Sequence, residues 1–191
     1  DRGANILLAL FTFYLAYVVF FYFPYPLIAY GITAVNWKKV TLFSIYASVP
    51  VMAIALCVRF AIQFLMPSVA EVTLFDSLDY FYQRSWLIPG YFLSAAFQEF
   101  VTRGVLQTWL LELLLGKNKR FWAIFSSNML FQALHTVKGN YMAVSTLALG
   151  MFWGYLFDKT GSLVAPIVSH FLLGVWILYV LQFEWIAQLV G

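Results

Sequence analysis

The chain has 191 residues, of which 63% are hydrophobic, 20% aromatic and only 10% charged, and its mean hydropathy is +0.85. A soluble domain carries about 25% charged residues, so a soluble fold is excluded and the composition predicts an all-α, polytopic transmembrane helix bundle. The net charge of +3 comes without a clustered basic face, which excludes nucleic acid as a partner. A single cysteine, Cys57, excludes an intrachain disulfide.

Residues 5–35 form an apolar run interrupted by Pro24 and Pro26. With about 20 residues needed per crossing, this is one span with a kink, or a span followed by a short interfacial or re-entrant piece. The run is too long for the core of a signal peptide and lacks a small-residue cleavage site, so no cleavable leader is expected. Trp37, Lys38 and Lys39 mark a membrane boundary. Residues 42–66 predict the next span, with Arg59 near enough to its end to snorkel to the interface. The connection 67–85, with Glu71, Asp76 and Asp79, is polar and lies along the interface.

A long apolar helix follows from Pro89 to Leu115. It exceeds the ~30 Å hydrocarbon core, so it tilts, protrudes or breaks near Arg103-Gly104. Gly116 closes it ahead of a basic loop. Three shorter spans, 121–136, 141–157 and 162–183, bring the total to about six, with the last four helices lining a core cavity. Alternation puts Lys38, Lys39, Lys117, Lys119, Arg120 and Lys159 on one side, which the positive-inside rule makes cytoplasmic. The chain divides into N-terminal helices and an interfacial loop, 1–84, and a core, 85–191.

Polar residues inside apolar helices are costly and face a protein interior or a water-filled cavity. Three groups stand out. Gln98, Glu99 and Arg103 interrupt the long helix, with Glu99 and Arg103 four residues apart in the favourable acid-before-base order. His135 ends the next helix, with Asn128 two turns earlier on the same face. His170 lies in the last span. Each alone reads equally well as a structural ion pair or an interhelical hydrogen bond, but all three together outline a site. A carboxylate or amide with two imidazoles suits water activation and proton donation to a leaving amine, with Asn128 supporting an oxyanion. The alternative is a zinc or iron site on Glu99, His135 and His170. Spacing along separate helices does not decide between them, and the hydrolytic reading requires no cofactor.

The order Gln98-Glu99-Phe100-Val101-Thr102-Arg103-Gly104, then Phe131 to His135, then His170, resembles the Glu-Glu-x-x-x-Arg, Phe-x-x-x-His and His-x-x-x-Asn/Asp motifs of the CAAX protease and bacteriocin-processing family (CPBP, or Abi). Its members resemble the type II CAAX prenyl endopeptidase. The resemblance covers about residues 85–180 and implies an intramembrane endopeptidase of a bacterial inner membrane, acting on a membrane-associated or lipidated peptide. Two positions depart from the pattern. Gln98 stands where the family has its first glutamate, the general base, and Gly174 stands where it has Asn or Asp. An amide does not abstract a proton from water. Three accounts remain open: Glu99 is the base, held by Arg103 although it points about 100° away around the helix; the glutamine is an introduced inactivating substitution; or this branch has lost proteolysis. A non-catalytic scaffold that positions a partner protein is the competing function. A small transporter is weaker, because no repeat symmetry is visible.

Overall fold

The computed structural model describes residues 25–65, 82–133, 135–136 and 140–182, with positions 10, 14, 17, 18 and 21 of the first apolar run. Among the described residues the secondary structure is helical, without a strand. Most of the first expected span, the residues Glu71, Asp76 and Asp79 of the polar connection, and the end of the last span lie outside the described residues.

The tail of the first run does not continue as a span. It forms a 3-10 turn, Leu27–Tyr30, followed by Gly31 at φ 75°, a left-handed conformation that favours a residue without Cβ. The Gly31 carbonyl accepts the Leu163 N–H at 2.9 Å. Tyr30 is thereby carried into a core cluster with Phe100, Val105, Phe157 and Leu163. Helix α1, Trp37–Leu65, then runs for 29 residues. Trp37, Lys38 and Lys39 form its first turn rather than preceding it. With a mean hydropathy of 2.0 it is the one described helix both long and apolar enough to cross a membrane by itself.

A 3-10 turn, Ser85–Leu87, leads into a continuous rod made of α2 (Ile88–Glu99), a π segment (Phe100–Gln107) and α3 (Thr108–Leu113). Of the tilt, protrusion or break expected of this helix, the described rod shows no break near Arg103-Gly104 but a widening there. Thr102 Oγ1 donates to the Gln98 carbonyl at 2.7 Å and Thr108 Oγ1 to the Arg103 carbonyl at 3.2 Å. These hydroxyls occupy carbonyls at the edges of the altered ladder. The rod stops at Leu113, where Leu114 turns extended. Gly116 therefore does not close the helix as expected; it sits in the following turn at φ 98°.

Helix α4 is Lys119–Ala133, α5 is Asn140–Thr160, and α6 is Val164–Gly174, prolonged by a second π segment, Val175–Val180. Pro166 falls in the first turn of α6, where a missing N–H costs little. α1 runs parallel to α6. Ser44 Oγ donates to the Ala165 carbonyl at 2.6 Å, and Ser48 Oγ to Ser169 Oγ at 2.8 Å. Farther along, Trp176 Nε1 donates to the Met52 carbonyl at 3.1 Å, and Arg59 Nε to the Leu181 carbonyl at 3.2 Å. Arg59 is 0% exposed, so it does not snorkel. It ties the end of α1 to the end of the second π segment.

Candidate active site

Glu99 closes α2 at the point where the π segment begins, and both it and Arg103 are completely buried. Arg103 Nε lies 3.2 Å from Glu99 Oε2. The other carboxylate oxygen, Oε1, is 2.7 Å from His170 Nδ1. A buried ion costs several kcal/mol unless it is paired, and here the carboxylate is held from two sides. Because a carboxylate oxygen accepts, His170 Nδ1 is the donor in this contact. The imidazole stacks flat on Trp153, with centroids 3.9 Å apart and planes at 8°. Trp153 is fixed in turn by its Nε1–H on Ser169 Oγ at 3.2 Å. The result is a rigid chain from Arg103 through Glu99 to His170.

Asn128 joins this cluster. Its Oδ1 accepts from Arg103 Nη2 at 3.4 Å, and its Nδ2 donates to the Leu147 carbonyl at 2.7 Å. Arg103 Nη2 also donates to the Gly150 carbonyl at 3.0 Å. Gln98 lies apart from the cluster, on a partly exposed face, with Nε2 on Ser94 Oγ at 3.0 Å. His135 packs on the neighbouring Phe131. Its Nδ1 lies 2.9 Å from the Phe131 carbonyl, and its ring rests on the Phe131 ring at 4.5 Å. Phe131 is shared between the two histidines, with its centroid 6.4 Å from His170. Among the described residues no three His, Cys, Asp or Glu side chains are grouped to hold a metal. Of the candidate ligands Glu99, His135 and His170, Glu99 and His170 are in contact.

A family model described as Type II CAAX prenyl endopeptidase Rce1-like matches residues 81–176. The chain belongs to this family. The matched stretch holds every candidate site residue, and the family is membrane-embedded, so this is a CAAX protease-like membrane protein. No curated protein and no solved structure matches the chain.

Several residues of the Rce1-like site escape a reading of the sequence. Gly150 and Gly154 are one turn apart on α5 and let two backbones approach. A Cβ at Gly150 would overlap Asn128 Oδ1, and one at Gly154 would lie 2.6 Å from Ile124 Cγ2. Gln107 Nε2 donates to the Gly154 carbonyl at 3.0 Å, repeating one turn on what Arg103 does at Gly150. The Gly-x-x-x-Gly spacing is the signal that could have revealed this contact. Trp153, the platform under His170, has no signal of its own in so aromatic a chain.

Proposed function

We propose that this protein is an intramembrane endopeptidase that hydrolyses a membrane-associated or lipidated peptide, with His170 activating the water. The observation that carries this reading is the buried carboxylate–imidazole pair, Glu99 Oε1 to His170 Nδ1 at 2.7 Å. A carboxylate in that position holds the imidazole in one tautomer and stabilises its protonated form. Water attacks the peptide carbonyl carbon and gives a proton to His170 Nε2, while the carbonyl π pair moves onto oxygen. Collapse of the tetrahedral intermediate breaks the C–N bond, and the proton on Nε2 passes to the leaving amine. Glu99 is here a partner of the base rather than the base itself, since both its oxygens are engaged. Arg103 holds Glu99 in place. His135, with Nδ1 2.9 Å from the Phe131 carbonyl, helps to orient water or substrate. This chemistry calls for no metal or other cofactor. We read the first apolar run and the helices from α1 onward as a bundle of about six crossings around the site, in a bacterial inner membrane with the basic loops cytoplasmic.

Gln98 favours a second reading. The residue at the family's general-base position is an amide turned toward Ser94, as expected for a non-catalytic scaffold that binds a partner protein. Cleavage of a fluorogenic peptide library by the detergent-solubilised protein separates the two. The comparison is between the chain as it stands and its Gln98→Glu, Glu99→Gln and His170→Ala variants. Activity in the chain itself, lost in His170→Ala, supports the dyad. Activity only after Gln98→Glu returns the base to position 98. No cleavage in either, with the fold intact, sinks the peptidase reading in favour of the scaffold.

A further inference from the structure

Hydrolysis of an amide needs a donor for the oxygen that becomes charged, as well as a base. The polar side chains around Glu99 already give at least one N–H each to protein acceptors. Asn128 Nδ2 is on the Leu147 carbonyl, Arg103 Nη2 on the Gly150 carbonyl, and Gln98 Nε2 on Ser94 Oγ. Arg103 Nη1 has no acceptor but is sealed in the core. One polar side chain of a different kind, Tyr91, packs beside His170. Gly174 leaves a notch on α6 one turn beyond His170, on the same helix face, and the Tyr91 hydroxyl fills it. A Cβ on Gly174 would overlap the Tyr91 hydroxyl oxygen and Cζ, so a side chain at 174 and the phenol at 91 exclude each other.

The Tyr91 ring is held edge-on to His170, with centroids 6.2 Å apart and planes at 72°. Phe171 at 6.3 Å and Tyr179 at 6.1 Å confine it further. Tyr91 is only partly buried, unlike Arg103. We propose that Tyr91 is a further catalytic residue of this site. Its O–H donates a hydrogen bond to the substrate carbonyl oxygen while His170 Nε2 takes the proton from water. No bond to Tyr91 forms or breaks. Gly174 serves this arrangement by leaving the space that the hydroxyl occupies. The inference rests on the peptidase reading given above.

The test uses whichever of the chain and its Gln98→Glu variant cleaves the library, with the best-cleaved peptide and its phosphinate analogue, which mimics the tetrahedral intermediate. Tyr91→Phe keeps the ring and removes the donor. It is expected to lower kcat by about 10²–10³-fold and to weaken the phosphinate by a similar factor, with little change in KM or thermal midpoint. Tyr91→Ala with Gly174→Asn, which puts a different donor into the emptied notch, should recover part of the kcat that Tyr91→Ala alone loses. Unchanged kcat and phosphinate affinity in Tyr91→Phe, in a protein that His170→Ala inactivates, overturns the role of Tyr91 and leaves the peptidase standing. Absence of cleavage in both the chain and Gln98→Glu overturns both.

Discussion

Glu99 lies between the buried Arg103 guanidinium and the His170 imidazole, so the proposed site ties stability and reactivity to one side chain. In Glu99→Gln, Arg103 keeps the Gly150 carbonyl and Asn128 Oδ1 as acceptors but loses its counter-ion. Breaking a buried pair from one side costs about 3–5 kcal/mol. Denaturation of the detergent-solubilised variant should show a loss of that size together with loss of cleavage. His170→Ala should also abolish cleavage but leave the Glu99–Arg103 pair in place, so its stability loss should be clearly the smaller. Equal losses in the two variants would count against the order of the chain from Arg103 to His170. Arg103→Lys tests the same link from the other end. A lysine keeps the charge but lacks the fork that reaches Glu99 and the Gly150 carbonyl together, so this variant should be less stable than the parent.

At the level of elements, the glycines of α5 set how closely α4 can approach. Gly150→Ala drives a methyl into the Asn128 side chain, whose Cγ would lie 2.6 Å from it, and so pushes apart the helices that carry Asn128 and Trp153. Gly90, in the first turn of α2, has nothing within 4 Å of its would-be Cβ. Gly→Ala there should be neutral or stabilising by up to about 1 kcal/mol, whereas Gly150→Ala should lower the thermal midpoint sharply. Similar midpoints for the two variants would refute the close α4–α5 contact. The π segment is the other feature of this scale. Its position was visible as a long helix with an awkward polar-Gly stretch at Arg103-Gly104, but its form was not. Periodicity reports a face, and a widened turn changes that face only locally.

Across the whole molecule, the parallel pairing of α1 with α6 joins the N-terminal part of the chain to the part that carries the family motifs. Ser48 and Ser169 meet at 2.8 Å between hydroxyls. In a Cys57→Ser background, Ser48→Cys with Ser169→Cys should form an intramolecular disulfide under mild oxidation, and Ser48→Cys with Thr160→Cys should not. Cross-linking of the second pair alone would mean that the register is wrong. The same pairing explains Arg59. Its place near the end of an apolar run suggested a side chain reaching for the interface, whereas the Leu181 carbonyl supplies a partner inside the protein. Such a partner comes from another helix and leaves no trace in the local sequence.

The sequence by itself determined the class of environment, since 10% charge over 191 residues leaves too little polar surface for water. It also singled out the candidate site residues, because an ionisable group in an apolar helix stands out whatever the fold. The order of Glu99, Arg103, His135 and His170 was enough to name the family. Only the tertiary structure decided which of them meet. It joined Glu99 to His170 across 71 positions, left His135 against Phe131 and Gln98 against Ser94, and seated Tyr91 in the space at Gly174. Spacing along one helix fixes height and rotation on that helix alone. Contact between helices depends on their relative depth, rotation and separation, and those are set by the packing of glycines, serines and aromatic rings over the whole bundle.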